Sequence, residues 1–332
     1  MKSISGILVL TGLIIALLFI TGCTSTQTGN ENSEGLTTIR YGGQLYPGEF
    51  VLAGDPSIWD KYGIEVEHTL FSSGAENNEA LVAGVVDINC GSDTKTVSLF
   101  NAIPDEALII GKLQSGNRYT TIIRKDAEYT SWEDLKGKTV ATRFGTGAEL
   151  VLRMYYEEEG LSWDDFNYVN LKIEDMAAAL EQGQIEAFTA WEPTPAIAEA
   201  MGIGKVLRTY GDVSSVPVCL HTTKSYAATH EDEIVRFLAA QLDKADLITN
   251  NPEEAAYIAS KTAAERGIDI SPEAFITVFN RIDFSIDFDE DTINDIEEAA
   301  AFLYEQDKTQ SIPSLSYDKS YLEKAIALRA SK

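Results

Sequence analysis

The chain has 332 residues, 44% of them hydrophobic, and a formal charge of -26 from 52 acidic and 26 basic side chains. This balance argues against a nucleic-acid or anionic-membrane surface, where a basic face is expected, while the apolar fraction and the length suit two packed domains. It leaves the sign of a small ligand open, because local dipoles and one or two placed cations suffice to hold a small anion.

The N-terminus starts Met1-Lys2, runs apolar from Ile4 to Ile20, and closes Thr21-Gly22-Cys23 before a polar stretch from Thr24 to Gly35. A charged start, a short apolar core and small residues at its end are the pattern of a secretory signal. Cysteine directly after Thr-Gly resembles a lipobox, whose cysteine is acylated. The expectation is a signal peptide over residues 1–22, lipidation at Cys23 and a flexible linker over 23–36. An uncleaved membrane anchor is the alternative, since the run approaches bilayer-spanning length. Either way the body is tethered at the extracytoplasmic face of the cell membrane.

Beyond the linker, Thr37 to Tyr41 reads as a strand that ends in Gly42-Gly43-Gln44. Phe50 to Lys61 is expected as one helix with Gly63 as its stop. Ile64 to Phe71 is a second strand ending in Ser72-Ser73-Gly74, Asn77 to Ala83 a helix, and Val86 to Asn89 a third strand ending in Cys90-Gly91-Ser92-Asp93-Thr94. Each strand delivers Gly, Ser or Thr to one edge of a sheet, and the next helix begins there, which is where an open α/β sheet places its ligand. Ala107 to Gly111 and Tyr119 to Arg124 are two further strands.

The pattern then repeats. Thr139 to Thr142 is a short β-branched run that meets Phe144-Gly145-Thr146-Gly147 and opens into a helix carrying Leu150, Val151, Met154 and Tyr155. Such a junction offers free backbone N–H groups and the positive end of a helix dipole to a small anion. It lacks the Lys-Ser/Thr of a phosphate loop and the third glycine of a dinucleotide fingerprint. Tyr168 to Leu171 and Ile185 to Ala190 are strands around the helix Ile173 to Gln182, and the second of them ends in Trp191-Glu192-Pro193. Val216 to His221 is a later strand, and from Thr229 the chain is helical, with Asn251-Pro252 and Ser271-Pro272 as helix starts. The economical division is a first domain of residues 37–125 plus 213–332 and a second of 126–212, joined by two crossings that make a hinge.

Cys90 and Cys219 are the cysteines of the body, and an exported setting permits a disulfide between them. His68, His221 and His230 are not spaced as metal ligands, so structural roles are expected for them and no metal or cofactor. No Gly-x-Ser-x-Gly elbow is present, which weighs against an exported hydrolase.

Several segments together resemble the substrate-binding proteins of transporters for aliphatic sulfonates, taurine, nitrate and thiamine-precursor pyrimidines. They are Ala83-Gly84-Val85-Val86-Asp87-Ile88, Trp132-Glu133-Asp134-Leu135-Lys136-Gly137-Lys138-Thr139-Val140-Ala141, Gly160 to Asp165, Ala177 to Gly183, and above all Ala187-Phe188-Thr189-Ala190-Trp191-Glu192-Pro193. The resemblance spans roughly Thr38 to Lys261. It implies a bilobed, type II periplasmic-binding-protein fold of two α/β domains with a helical C-terminal portion. It also implies a cleft lined by Gln44, Ser73, Gly91, Ser92, Asp93, Thr94, Phe144, Gly145, Thr146, Gly147 and Trp191, with Glu192 beside it.

Chemically, Thr146 and the N–H groups after Gly145 suit a sulfonate, nitrate or carboxylate, and Trp191 either stacks on the ligand or is a core aromatic. Glu192 either accepts an ammonium group or holds the hinge, and Asp93 either faces a ligand amine or caps its helix. Arg143 points to the cleft or, by strand alternation, to the surface.

The function implied is a monomeric, lipid-anchored binding protein without enzymatic activity. It captures a small oxyanion by hinge closure and delivers it to a permease and its ATPase. A neutral pyrimidine ligand, a ligand-sensing receptor and an exported enzyme are the alternatives. The cysteine-rich motif of the eukaryotic thiamine-pyrimidine synthase relatives is missing, which argues against synthase chemistry.

Overall fold

The computed structural model describes residues 37–332, so the signal peptide, the acylation at Cys23 and the linker over 23–36 lie outside the described residues. The strands are β1 (Thr37–Gln44), β2 (Ile64–Phe71), β3 (Ile88–Ser92), β4 (Ala107–Gly116), β5 (Tyr119–Arg124), β6 (Thr139–Thr142), β7 (Asn167–Asn170), β8 (Ala187–Trp191), β9 (Gly204–Thr209), β10 (Val218–Thr223) and β11 (Ile282–Asp283).

They form two sheets. A six-stranded sheet has the order β11-β4-β10-β3-β1-β2 and a five-stranded sheet the order β7-β6-β8-β5-β9. In the first, β1 runs parallel to β2 and β3, and β10 returns antiparallel between β3 and β4. In the second, β6 runs parallel to β7 and β8, and β5 is antiparallel to β8 and β9.

The expected β1 extends through Gly42-Gly43 to Gln44 because the two glycines admit side chains from elsewhere. A Cβ on Gly42 would stand 2.1 Å from Asn77 Oδ1, and one on Gly43 would stand 2.4 Å from His68 Nε2 and 2.5 Å from Glu49 Oε2. The glycine pair thus serves internal packing, with Asn77 Nδ2 donating to the Gly42 carbonyl at 2.9 Å.

The helix expected over Phe50 to Lys61 is two helices, Pro47–Gly54 and Ser57–Asp60. Pro56 has no N–H to continue the ladder and pushes the preceding residue out of the helical region; Asp55 sits at φ -129°, ψ 82°. Strand β9 carries no expectation from the sequence. Its Lys-Val-Leu-Arg-Thr run pairs with β5 at the sheet edge.

The central strands of each sheet are buried on both faces. Residues such as Tyr41, Ile88, Cys90 and Ile110 pack against the helices Glu231–Asn250, Pro252–Glu265 and Pro272–Arg281. Ile109 and Cys219 pack with Phe100, Phe288 and Ile296. Burying both faces explains why these strands read as apolar runs rather than strict alternations.

The alternating direction of side chains along a strand settles the cysteines. Cys90 pairs with Leu220 and Cys219 with Gly91, so the two side chains stand one register step apart on opposite faces, and both thiols are free and buried.

The chain passes from the first sheet to the second between Gly116 and Tyr119, and returns between Thr209 and Val218. The expected first domain held Tyr119–Arg124; these residues form β5 of the five-stranded sheet. The two crossings are bonded together: Gly116 N–H donates to the Ser215 carbonyl at 2.8 Å, and Gly211 N–H to Asn117 Oδ1 at 2.8 Å.

Candidate functional site

Five strand-to-helix junctions converge on a cavity of about 420 Å³ between the two sheets. From the six-stranded sheet come Gln44 at the end of β1, Ser73 at the start of the helix Gly74–Val82, and Ser92 and Thr94 at the start of the helix Asp93–Ala102. From the five-stranded sheet come Phe144, Gly145, Thr146 and Gly147 after β6, and Trp191 at the end of β8. Parallel strands put their C-terminal ends, and hence the positive ends of the following helices, on the same side. Gln44 is braced by its Nε2 donating to the Cys90 carbonyl at 3.0 Å, and Ser92 Oγ lies 3.3 Å from Thr94 Oγ1.

Gly91, Asp93 and Glu192, also expected at the cleft, are not on this wall. The position a Gly91 Cβ would take lies 3.2 Å from Lys95 Cβ and 3.4 Å from His221, so this residue serves close packing. Asp93 is fully buried, with Oδ1 accepting from Thr94 N–H at 2.6 Å. Glu192 is buried too: Oε1 accepts from Thr120 Oγ1 at 3.1 Å and from Arg281 Nη1 at 2.8 Å, and Oε2 from Ala196 N–H at 3.0 Å. Burial pushes its carboxyl above the usual range, with Arg281 opposing.

The Gly-Thr-Gly turn is partly satisfied from within. Gly145, at φ +70°, donates its N–H to Glu149 Oε2 at 2.7 Å, and Arg153 holds Glu149 Oε1 at 2.9 and 2.7 Å. Thr146 Oγ1 donates to the Arg143 carbonyl at 2.6 Å while accepting from Ala148 N–H at 3.3 Å. A side-chain carboxylate therefore already occupies one amide of the expected anion cradle.

The cations come from elsewhere. Lys95, Arg118, Arg143 and Lys172 line the cavity, and Glu174 is the acid among the lining residues. Arg143, for which the surface was the other reading, is thus on the wall.

Arg118 lies in the first crossing and is 2% exposed. Its guanidinium stands 5.3 Å from the Tyr46 ring and 5.5 Å from the Tyr119 ring, Nη1 donates to the Val216 carbonyl, and Nε is buried without a hydrogen-bond partner. Val216 itself takes φ +41°, a rare conformation for a β-branched residue, in the return crossing. Trp191 meets Tyr119 edge-on, with centroids 6.4 Å apart. Burial raises the Tyr46 and Tyr119 phenols, so both keep their protons as donors.

The sequence pattern missed Arg118, Tyr46, Tyr119, Lys95 and Lys172. The available signal was position: Arg118 sits in the two-residue link between two strands of different sheets, where a side chain has access to both.

The histidines lie among side chains of the fold rather than on the cavity wall. His221 Nδ1 donates to Asn89 Oδ1 at 3.0 Å, its Nε2 lies 2.9 Å from Thr96 Oγ1, and burial holds its pKa down at about 3. His68 Nε2 lies 2.9 Å from Glu49 Oε2, and His230 stacks on Tyr226. Among the described residues, no group of three His, Cys, Asp or Glu side chains could hold a metal ion.

Two α/β sheets with a polar cavity between them, joined by two crossings, define a periplasmic-binding-protein fold. The structure of the Escherichia coli periplasmic aliphatic sulfonate binding protein SsuA has this fold, with TM-score 0.73, 20% identity, and 85% of this chain and 94% of that one covered. The model of the NMT1/THI5 like family matches residues 52–255, and the chain belongs to that family.

A Bacillus subtilis protein named for aliphatic sulfonate binding is 27% identical over 234 residues, covering 68% of this chain and 69% of its own length. The taurine-binding periplasmic protein of Escherichia coli is 26% identical over 222 residues, covering 65% and 67%. The chain covers 66% of a Brucella abortus protein named as a binding protein, at 23% identity. The desulfurization enzyme DszB shares the fold at TM-score 0.67 and 15% identity, over 88% of this chain and 99% of that one.

Proposed function

We propose that this protein is the lipid-anchored, extracytoplasmic solute-binding component of an ABC importer and that its cleft captures a small oxyanion of the alkanesulfonate, taurine or nitrate type. The observation that carries the reading is Arg118, a buried cation at the cavity with an unpartnered Nε, joined on the wall by Lys95, Arg143 and Lys172. In a site shielded from water such groups hold an anion far more strongly than they would at the surface. The names of the relatives, sulfonate- and taurine-binding, agree with that charge.

The two lobes are proposed to follow the sheets, with the hinge at residues 117–118 and 210–217. The lobe around the five-stranded sheet then begins at β5. A ligand touching Ser92 on one side and Thr146 on the other favours the closed state by its contacts to both. Trp191, Tyr46 and Tyr119 favour a second reading, a flat neutral heterocycle held by stacking.

A thermal-shift panel of taurine, alkanesulfonates, nitrate and aminopyrimidines separates the two. A true ligand at about 100 times its Kd stabilises the fold by roughly 2.7 kcal/mol. Response to the pyrimidines alone would overturn the oxyanion reading. The anchor is tested by Cys23→Ala, which should release the protein from the membrane fraction. No described helix is long and apolar enough to cross a membrane.

A further inference from the structure

The cavity has a charged neighbour that is not on its wall. Asp93 opens the helix Asp93–Ala102 between Ser92 and Thr94, both of which line the cavity, and its side chain is fully buried. Its N–H donates to the Pro217 carbonyl at 2.9 Å, which ties this helix start to the return crossing. Carboxylate Oδ1 is held by Thr94 N–H at 2.6 Å, whereas Oδ2 has no partner. Arg118, which lines the cavity and acts electrostatically on Asp93, likewise keeps a buried Nε without a partner. Two buried, opposite, incompletely satisfied charges thus stand close together, one on the pocket wall and one between two wall residues.

Resting on the reading of the cleft as an oxyanion site, we propose that Asp93 restricts the pocket to ligands of single negative charge. Its fixed carboxylate behind Ser92 and Thr94 offsets part of the field of the lining cations. A monoanion restores the balance, whereas the second charge of a dianion meets the Asp93 carboxylate through low-dielectric protein. Within a buried site a like charge at close range weakens the ionised form by one or more pKa units, so discrimination of about tenfold per added charge is the expected scale.

The groups that face Asp93 are Arg118 from the crossing, Lys95 from its own helix and Asp295 from the helix Glu290–Glu305, and its charge is also felt by Tyr46, Tyr119 and Cys219. Burial pushes the Asp93 carboxyl up to about 6, against the Thr94 N–H and the two cations. Burial likewise lowers Lys95, with Asp93 opposing. An anion bound nearby raises Asp93 further, so binding near neutrality takes up a proton and affinity grows as pH falls toward that value.

Methanesulfonate and sulfate are the probes, because they are close in size and differ by one charge. Titration calorimetry on the full chain in detergent should find methanesulfonate bound about tenfold or more tighter than sulfate at pH near 8, and Asp93→Asn should close that gap about tenfold. The wild-type preference should also shrink as pH is lowered through about 6, and that pH dependence should vanish in the variant. The wild-type pH profile needs no substitution, so it decides the matter even if Asp93→Asn fails to fold. An unchanged methanesulfonate-to-sulfate ratio, in the variant or across the wild-type pH range, overturns the proposal and leaves the oxyanion reading standing. Binding of neither anion, with an aminopyrimidine bound instead, overturns both.

Discussion

Arg281 Nη1 donates to Glu192 Oε1 at 2.8 Å, and this bond runs from the helix Pro272–Arg281 beside the six-stranded sheet to the residue after Trp191 on the five-stranded sheet. Arg281 Nη2 also reaches Glu199 Oε2 at 2.5 Å, so one guanidinium fastens two carboxylates of the other sheet's chain. The pair sits next to a cavity-lining aromatic without entering the cavity.

Arg281→Met should therefore leave Glu192 buried and unpaired, at a cost of about 3–5 kcal/mol. The pH dependence follows from direction. The folded-state pKa of Glu192 is already raised by burial, so its contribution is most favourable in acid and is lost as pH rises through the raised value. Removing Arg281 raises that value further. Urea unfolding should show the variant more severely weakened at about pH 7 than at about pH 4.5, and the double variant with Glu192→Gln should recover part of the loss.

Arg118→Lys should weaken methanesulfonate by roughly 2 kcal/mol, or about thirtyfold, because an ammonium cannot hold the Val216 carbonyl and present a planar donor array to an anion together. Calorimetry measures the affinity, and a melting curve checks that the contact to Val216 in the return crossing is not what failed. Undiminished binding would place the anion away from the crossing.

Two glycine substitutions separate packing from binding. In Gly43→Ala the new methyl meets His68 Nε2 at 2.4 Å and Glu49 Oε2 at 2.5 Å, inside one sheet, which should cost about 1–3 kcal/mol of stability and leave ligand affinity unchanged. In Gly147→Ala it meets Tyr119 Oη at 2.5 Å and Val216 Cγ1 at 3.1 Å, where the helix start abuts the crossings. Affinity should fall about tenfold or more there, from an overpacking strain of similar size. Paired melting and binding measurements on both variants test the contrast.

His221 should dominate part of the acid limb of stability. Its folded pKa of about 3 lies below the unfolded value, so the stability it contributes is present above the unfolded pKa and is lost as pH falls from about 6.5 toward 3. The loss over that window is on the order of a few kcal/mol. In His221→Gln the dependence of the urea midpoint on pH between about 7 and 4 should be visibly flatter.

The residues show what was legible. The strand ends carrying Gln44, Ser73, Ser92, Thr146 and Trp191 were readable because local turn chemistry and helix starts announce themselves within a few residues. Arg118 was not, since its place depends on two sheets that meet only in three dimensions. Nor was the role of Glu149: at four residues after Gly145 it reads as an ordinary first-turn acid, and only the fold shows it reaching back to the turn amide. Gly42 and Gly43 were legible as special but not as packing residues, because the side chains that need their space, Asn77, His68 and Glu49, come from other elements.

Glu149 has a consequence for redesign. Its carboxylate plugs an amide that a helix N-terminus would otherwise offer to an anion, and Arg153 behind it is a guanidinium whose partner could be exchanged. Shortening that one side chain, as in Glu149→Ala, would unplug the socket and free the arginine together. A cleft that already gathers Lys95, Arg118, Arg143 and Lys172 would then gain a free turn amide at Gly145, suited to molecules that carry an acidic group at each end.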